Sequence, residues 1–478
     1  MIEKVYELFS KLNSIPRPSH HEGKVADFLC QYAESLGLEH DRDAENCVVI
    51  RKPATPGHEN AEPIVLLNHM DMVAVSDGSR DFDPLNDSIE AYVENGWMKA
   101  RGTSLGADNG IGLSMALAVL ADDSIVHGPI EVLTTTNEED GMSGAAAMAT
   151  DFVKGRKVIN LDSEDYDTIT VGAAGAYLQI GKWNIEYKNV PDGYAFRKIT
   201  MSNGLGGHSG VDINKGRCNC IKELANCLSG EFVKELMSSV YICTINGGTA
   251  NASIASCAEV AIAMRPEFES ELNSYVDEWN KYIQKRYATT DPAVVLKVEE
   301  ANSYSQYIYN APTLLRCIYN LPCGVIAMRQ DMPETVMTSN NIGLLTTTTG
   351  AITLSCHTRS FSNDEMRSLA QRINTTMREL HADDVEIVMD TPGWQENQQS
   401  DYMKLVDHTF QDTLGFSPRK VAMHFVLEAG YYVEKFPGIE IACIGPRIVE
   451  PHSTKERVEL STVDNIYKVL IALLRKLA

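Results

Sequence analysis

Three short apolar segments in the first third of the chain each run directly into acidic or histidine-containing residues, which strongly constrains the fold. The segments are IVLLN (64–68), IEVLTTT (130–136) and KVINL (157–161), and each is typical of a buried β-strand. Helical periodicity over 109–122 and an alanine-rich stretch at 143–151 alternate with them. This βαβ order predicts an α/β fold with a mixed, mostly parallel sheet and helices on both faces.

The pattern changes after about residue 185, where strand-like and helix-like segments follow each other as in an α+β domain. The polar segment DTPGWQENQQSD (390–401) is interrupted by Pro and Gly and has the composition of a domain boundary. We therefore predict one domain built from residues 1–185 and 391–478, interrupted by an α+β domain at 186–390.

Charge and cysteine usage exclude several classes of protein. The 478 residues contain 42 Lys plus Arg and 65 Asp plus Glu, a formal net charge of −23. This balance argues against nucleic acid as a partner and disfavours an anionic membrane surface. No stretch approaches 18 uninterrupted apolar residues, and the N-terminus lacks the features of a signal peptide. The 11 cysteines are odd in number and form no C-x-x-C, so we expect a reduced, cytoplasmic protein.

The residues at and after the ends of the three predicted strands include side chains of the types that bind metals. They read NHMD (68–71), NEED (137–140) and DSED (162–165). Parallel strands bring their carboxyl ends to one edge of a sheet, so these groups should converge. Asp108, in the glycine-flanked GADNG, begins the Ala/Leu-rich helix and fits a helix N-cap equally well.

Two pairs of neighbouring residues suggest a division of roles. His69 and Asp71 are spaced so that the carboxylate can hold the second ring nitrogen of a metal-bound imidazole, although an isolated His is more often structural. Glu138 and Glu139 repel each other unless a cation or proton separates their roles. On an exposed loop such a pair is unremarkable, but here one acid can bind metal while the other serves as general base.

These candidate ligands, which include Asp162, form a set with many carboxylates and few histidines. Such a set suits two divalent ions that share a bridging acid. A further histidine from late in the chain should complete the set. His452 lies in a loop after the predicted strand 439–445, His408 lies in a predicted helix, and His424 precedes an apolar run. The residue types alone favour His452 only slightly.

Five motifs in order resemble the co-catalytic dizinc metallopeptidases of the aminoacylase and carboxypeptidase type. They are LLNHMDMV, LGADNGIG, TTTNEEDGMSGA, NLDSED and EPHSTKERVEL. IPRPSHHE, GLGGHSGVDINKGR, INGGTANAS and TPGWQEN resemble the aminoacyl-histidine dipeptidase branch of that family, which includes carnosinase-like enzymes. The resemblance extends over essentially the whole chain.

The resemblance implies a two-metal catalytic domain interrupted by a lid domain that often dimerises. Carried over by motif, His69 and Asp162 would bind one ion, Glu139 and His452 the other, and Asp108 would bridge them. Two divalent metal ions per subunit are expected, with zinc favoured and manganese or cobalt as alternatives. A homodimer through the lid domain is also implied.

The remaining roles are also implied by the resemblance. Asp71 would orient His69, and Glu138 would be the general base in hydrolysis of the peptide bond of dipeptides or short unblocked peptides, of the Xaa-His type among others. The substrate-binding candidates in the resemblance are His208, Asn251, Arg359 and Glu428.

The segment HFVLE (424–428) departs from the usual H-A-G-L-E, and VGAAG (171–175) from G-C-A-G-G, which leaves the substrate preference open. Two alternatives remain at this point: an N-acyl amino acid amidohydrolase built on the same site, and a non-catalytic peptide binder that has kept the fold.

Overall fold

The structure, a computed structural model, describes residues 2–229 and 240–478. The chain forms two units, and each is described by itself. Unit 1 is Met1–Gly172, Gln395–Ala422 and Glu428–Ala478, and unit 2 is Ala173–Trp394 and Met423–Leu427. The first change of unit comes before strand 175–184, and thus earlier than the boundary that the sequence predicts after residue 185. The second change lies within the polar segment 390–401. The amino-acid sequence does not predict the short return to unit 2 at Met423–Leu427.

Eleven α-helices lie in the described part of the chain. They are α1 (Ile2–Asn13), α2 (Gly23–Ser35), α3 (Ala107–Leu120), α4 (Ser143–Ala147), α5 (Cys220–Ser229), α6 (Glu269–Arg286), α7 (Ala311–Asn320), α8 (Asn363–Glu379), α9 (Asp401–Leu414), α10 (Ala429–Lys435) and α11 (Leu460–Lys476). Within the described ranges, no helix is long and apolar enough to cross a membrane.

Most of the described strands lie within one of the two units, and three of them cross a change of unit. From the N-terminus to the first change of unit they are β1 (Glu39–Arg42), β2 (Val48–Lys52), β3 (Ile64–His69), β4 (Ala91–Glu94), β5 (Trp97–Ala100), β6 (Ile130–Thr135), β7 (Lys157–Asn160) and β8 (Thr168–Ala173). They continue as β9 (Gly175–Asn184), β10 (Tyr187–Asn189), β11 (Ala195–Ser202), β12 (Val240–Gly247), β13 (Ala258–Met264), β14 (Val295–Glu300), β15 (Gln306–Ile308), β16 (Gly324–Met328), β17 (Val336–Thr347), β18 (Ala351–Ser360) and β19 (Asp384–Thr391). The last are β20 (Trp394–Gln395), β21 (Arg419–Met423), β22 (Glu440–Cys443), β23 (Ile448–Val449) and β24 (Arg457–Glu459).

The main sheet of unit 1 has the strand order β1-β2-β6-β3-β7-β22-β8-β20, with β21 paired to β8. Its four central strands, β6, β3, β7 and β22, are parallel. The flanking pairs β1–β2, β2–β6 and β22–β8 are antiparallel. The predicted mixed α/β sheet is therefore confirmed, and its parallel part is the central segment that carries the polar strand ends.

Burial explains why the central strands read as continuous apolar runs. All six residues of β3 are buried, because β6 and β7 flank it and α3 packs on it. Helix α3 also contacts α1 and α11 and is apolar on nearly all sides, as a helix inside a domain must be. The apolar sequence 109–122 thus specifies both the helix and its position.

Unit 2 is built on an antiparallel sheet with the order β14-β11-β13-β12-β17-β18-β9-β19, and β16 pairs with β17. Helices α5 and α7 pack on each other, α6 packs on β14, and α8 packs on β9 and β18. A buried apolar cluster that includes Trp183, Ile262 and Leu354 lies in this unit. This is the α+β composition that the sequence predicts for the inserted domain.

One predicted helix is shorter than expected. The alanine-rich stretch 143–151 forms only α4, which ends at Ala147, and Met148 has the extended dihedrals φ −52° and ψ 133°. The Nζ of Lys435 donates to the carbonyl oxygens of Ala145, Ala146 and Met148. These carbonyls at the end of the helix are thereby satisfied without a further helical turn.

Candidate metal centre

The ends of strands β3, β6 and β7 lie next to one another in unit 1. His69 is the last residue of β3 and is paired in register with Thr135, the last residue of β6. Glu138 and Glu139 follow β6, and Asp162 follows β7, which pairs with the other side of β3. The parallel pairing therefore brings these side chains to one edge of the sheet, as expected from the sequence.

Five side chains form two groups of potential ligands that share Asp108. The groups are His69, Asp108 and Asp162, and Asp108, Glu139 and His452, and within each group the ligand atoms lie within 4.8 Å of one another. His69 Nε2 is 3.1 Å from Asp108 Oδ1 and 3.2 Å from Asp162 Oδ1. His452 Nε2 is 3.3 Å from Asp108 Oδ2 and 2.8 Å from Glu139 Oε2. These are the five residues for which metal binding was predicted.

Asp108 does not act as a helix cap. The residue before α3 is Gly106, which has φ 68° and makes no side-chain cap. Asp108 itself has the non-helical dihedrals φ −80° and ψ 114°, and each of its two carboxylate oxygens faces one histidine. The N-cap alternative is therefore not realised, and both oxygens of the shared carboxylate are available to the two groups.

Asp71 connects the ends of β3 and β6. Its Oδ1 is 3.4 Å from His69 Nδ1 and accepts the backbone N–H of Glu138 at 3.1 Å. Its Oδ2 accepts the backbone N–H of Glu139 at 3.2 Å and the hydroxyl of Ser19 at 2.8 Å. One fully buried carboxylate thus fixes the imidazole of His69 and the backbone of both glutamates.

The electrostatics of the cluster favour a cation. Burial raises the pKa of Asp162 to about 7, with the carboxylate of Asp108 adding to the effect and His69 opposing it. Burial lowers the pKa of His69, but the surrounding aspartates outweigh burial and raise that pKa well above its ordinary value. Glu139 Oε1 is buried without a hydrogen-bond partner. Converging carboxylates, imidazole nitrogens and an unpartnered buried oxygen fit the donor set of divalent transition metals.

The spare carboxyl groups lie among these ligands. Burial raises the pKa of Glu138 well above its ordinary value, opposed by His69 and reinforced by the negative charges of Asp162, Glu428 and Glu139. Glu428 is buried and accepts the hydroxyl of Thr135 at 2.9 Å, and burial raises its pKa to about 8. Glu428 therefore lies in the same electrostatic environment as the ligand cluster.

Two buried charged residues of this region were not singled out from the sequence. Arg17 donates to the carbonyl oxygens of Met70, Asp71 and Gly106 at 2.6–3.0 Å. Glu456 accepts the backbone N–H groups of residues 105–108. Both lie in motifs quoted above, IPRPSHHE and EPHSTKERVEL, but their partners are backbone groups, which no sequence pattern identifies.

The other substrate-binding candidates belong to unit 2. His208 Nδ1 accepts the backbone N–H groups of Gly210 and Val211, both at 3.2 Å, which assigns the ring proton to Nε2. Arg359 is buried, donates from Nε to Ser209 Oγ at 3.4 Å and leaves Nη1 unpartnered. Burial lowers its pKa to about 10. His208, Ser209 and Arg359 are therefore neighbours, and Asn251 contributes a buried, unpartnered Oδ1.

Two further histidines lie near Arg359, and neither was assigned to this cluster from the sequence. His357 precedes Arg359 by two residues on β18, so both point to the same face of the sheet, and both its ring nitrogens are unpartnered. His424, one alternative for the late metal ligand, binds Ser339 Oγ through Nε2 at 2.8 Å and belongs to unit 2. His408, the other alternative, is an exposed residue of α9. Neither appears among the potential metal ligands of the described residues.

Comparison with known proteins gives a consistent result over the full length. The sequence profile of peptidase family M20/M25/M40 matches residues 65–476. The cytosol non-specific dipeptidase of Escherichia coli K12 is 34% identical over 477 residues, which is 99% of this chain and 98% of that protein. The crystal structure of aminoacylhistidine dipeptidase from Vibrio alginolyticus superposes with a TM-score of 0.93 at 32% identity, covering 99% of this chain and 96% of that one. The aminopeptidase PepT of Bacillus cereus shares the fold, with a TM-score of 0.57 at 16% identity over 99% of this chain and 98% of that one.

Proposed function

This chain belongs to peptidase family M20/M25/M40, and we propose that it is a metal-dependent dipeptidase that hydrolyses the peptide bond of unblocked dipeptides. The observation that carries this proposal is the pair of ligand groups sharing Asp108, next to a glutamate, Glu138, that neither group uses. The full-length relatives in E. coli and V. alginolyticus are both named dipeptidases, which supports the substrate class.

The ligands would hold two divalent ions. We assign His69, Asp108 and Asp162 to one ion and Asp108, Glu139 and His452 to the other. Divalent ions held there would lower the pKa of a water molecule and polarise the scissile carbonyl. Zinc is the ion that we favour, and the same donors accept manganese or cobalt.

Side chains of the protein would then transfer the proton of the attacking water and stabilise the negative charge on the carbonyl oxygen. Glu138 takes a proton from the water whose oxygen attacks the carbonyl carbon, and it returns that proton to the leaving amine as the C–N bond breaks. Asp71 holds Glu138 in place through the backbone N–H. His208 donates from Nε2 to the oxyanion that forms on the carbonyl oxygen.

Substrate recognition would use the charged ends of the dipeptide. Arg359, a buried guanidinium with a free Nη1, suits the terminal carboxylate, and Glu428 suits the terminal amine. Asn251 is assigned to the peptide carbonyl. These contacts require both termini to be free, which distinguishes a dipeptidase from an amidohydrolase acting on N-acyl amino acids.

We further propose that the chain acts in the cytoplasm as a homodimer formed through unit 2. Support for the interface comes from β16, which pairs with β17 on one side and with no other strand of the described residues. Its residues Val325, Ile326 and Met328 are 38–44% exposed. An apolar edge strand of this kind is an uncommon feature in a monomer. Light scattering of the wild type and of Ile326→Lys tests this assembly, and a monomeric wild type contradicts it.

The decisive experiment is a hydrolysis screen on metal-replete enzyme. The panel contains Xaa-His and other dipeptides, the same dipeptides with an acetylated amine or an amidated carboxylate, and N-acyl amino acids. We expect turnover of the free dipeptides and a loss of kcat/KM on blocking either end. Activity confined to the acylated substrates would identify an amidohydrolase. Absence of turnover on the whole panel by metal-replete protein would contradict a dipeptidase and favour a non-catalytic peptide binder.

A further inference from the structure

Glu456 connects the loop of His452 to the loop of Asp108, although these segments are almost 350 residues apart in sequence. Its Oε2 accepts the N–H groups of Leu105 and Gly106 at 2.7 and 2.9 Å. Its Oε1 accepts those of Ala107 and Asp108 at 2.7 and 3.3 Å. Four consecutive backbone donors thus converge on one buried carboxylate, which is 3% exposed.

The loop of His452 has few other attachments. Residues 450–456 connect the short strands β23 and β24. Apart from the contacts of His452 Nε2 with its fellow ligands Asp108 and Glu139, their hydrogen bonds are largely internal, from Ser453 Oγ to Glu450 O and from Glu456 N to Ser453 O. The side chain of His452 is 46% exposed. The contact made by Glu456 therefore ties the backbone of this loop to the backbone that carries Asp108.

The ligands of the other group are held independently. His69 ends a strand that is paired on both sides. The segment leading to Asp162 is tied by the bonds from Leu161 N to Leu67 O and from Ser163 N to Ile444 O. Only Asp108, of the three ligands in this group, depends on Glu456.

We propose that Glu456 is a positioning residue that preorganises Asp108 and His452. It therefore affects the affinity of the second ion, bound by Asp108, Glu139 and His452, more than the affinity of the first ion, bound by His69, Asp108 and Asp162. The inference rests on the proposed function, because it uses that assignment of ligands. It concerns a residue that touches neither an ion nor the substrate and acts through the two ligands that it aligns.

The variant Glu456→Gln tests the proposal with little change in shape. In either orientation the amide nitrogen of Gln faces two backbone N–H donors, so two hydrogen bonds are lost and donors oppose each other. Glu131→Gln is a matched control. Glu131 is also 3% exposed, lies in unit 1 and accepts two backbone N–H groups, those of Lys154 and Gly155, at 2.8 Å.

The measurement is a Zn²⁺ titration of the metal-free full chain against a competing chelator, which yields the number of ions and both stepwise dissociation constants. For Glu456→Gln we expect the first constant within about threefold of wild type and the second weakened about 10–100-fold, the usual effect of removing an outer-shell partner. Glu131→Gln should leave both constants unchanged. Circular dichroism in excess chelator verifies folding, and if Glu456→Gln does not fold, Glu456→Asp should weaken the second constant selectively by a smaller factor.

Each result has a definite reading. Selective weakening of the second ion supports the proposal. A second constant within threefold of wild type overturns it, and so does equal weakening of both constants, because Glu456 would then have no preference for one group. A wild type that binds fewer than two ions contradicts the metal centre of the proposed function itself, which separates that failure from failure of this inference.

Discussion

Adjacent glutamates can hold different roles because the backbone between them is fixed. Both N–H groups, of Glu138 and Glu139, donate to the carboxylate of Asp71. Glu139 directs its side chain to His452 at 2.8 Å, whereas Glu138 belongs to neither group of ligands. Two acids of identical chemistry are thus separated by direction, so that one is available to bind a metal and the other to transfer a proton.

Replacement of Glu138 by Gln should stop turnover and keep the metal. The amide cannot accept a proton, and general acid–base groups contribute about 10²–10⁴-fold to rate. We therefore expect kcat to fall by a factor in that range while metal content, measured by mass spectrometry, stays at the wild-type value. Asp140→Asn is the control, because Asp140 is an exposed acid of the same loop that binds His20 at 2.9 Å. Near-normal kcat in Glu138→Gln would reject the proposed base.

Replacement of Asp71 by Asn should both weaken metal binding and lower kcat. Its Oδ1 lies beside His69 Nδ1 and the N–H of Glu138, and its Oδ2 accepts the N–H of Glu139. Wherever the amide nitrogen of Asn is placed, it opposes a donor. We expect metal affinity to fall about 10–100-fold, as for other outer-shell partners, together with a loss of kcat at saturating metal. Unchanged affinity in a Zn²⁺ titration would show that Asp71 does not hold His69.

At the scale of elements, the start of helix α3 depends on a close approach of two backbones. A Cβ on Gly112 would lie 2.3 Å from the carbonyl oxygen of Leu161 and 2.0 Å from the side chain of Asn109. Leu161 precedes Asp162, and Asn109 follows Asp108. The absence of a side chain at Gly112 therefore lets α3 pack against the end of β7, beside two of the proposed ligands.

Gly112→Ala should destabilise the protein, contrary to helix propensity. Ala in a helix interior is favoured over Gly by about 1 kcal/mol, but here the overlap with the Leu161 carbonyl must be relieved by moving α3 or the end of β7. We expect a lower midpoint of denaturant unfolding and weaker metal binding.

Gly23→Ala is the control for this helical glycine. Gly23 begins α2, and a Cβ there would meet nothing closer than Arg42 at 4.0 Å. The stability of the Gly23→Ala variant should equal that of the wild type or be slightly higher. A stabilised Gly112→Ala with normal metal affinity would contradict the packing argument.

Strands and helices that are buried on nearly all sides were predictable from the sequence. The all-buried strand β3 was predicted from its short apolar run, and the apolar helix α3 from the helical periodicity of 109–122. The clustering of polar residues after parallel strands located the candidate site. The contacts of Arg17 and Glu456 were not predictable, because their partners are backbone groups brought together by the fold. The length of α4 was not predictable either, since Lys435, which binds its terminal carbonyls, lies almost 300 residues away.

At the scale of the whole molecule, the proposed ligands span most of the chain but belong to one unit. They lie between His69 and His452, and all five are in unit 1, while the segment between Ala173 and Trp394 forms unit 2 and contributes none. Bound ions would therefore link the N-terminal and C-terminal segments of unit 1. Two divalent ions would also change the formal net charge from −23 to about −19.

Metal removal should consequently loosen one unit and not the other. A ligand that binds only the folded state stabilises it by about 2.7 kcal/mol at a free concentration of 100 times Kd, and chelation removes this contribution from unit 1. Hydrogen exchange measured with and without EDTA should show faster exchange in β3, β6, β7 and the segment 450–456, with β11, β13 and β18 of unit 2 unchanged. Restoring zinc should reverse the difference. Equal acceleration in both units, or none in unit 1, would contradict a metal centre confined to unit 1.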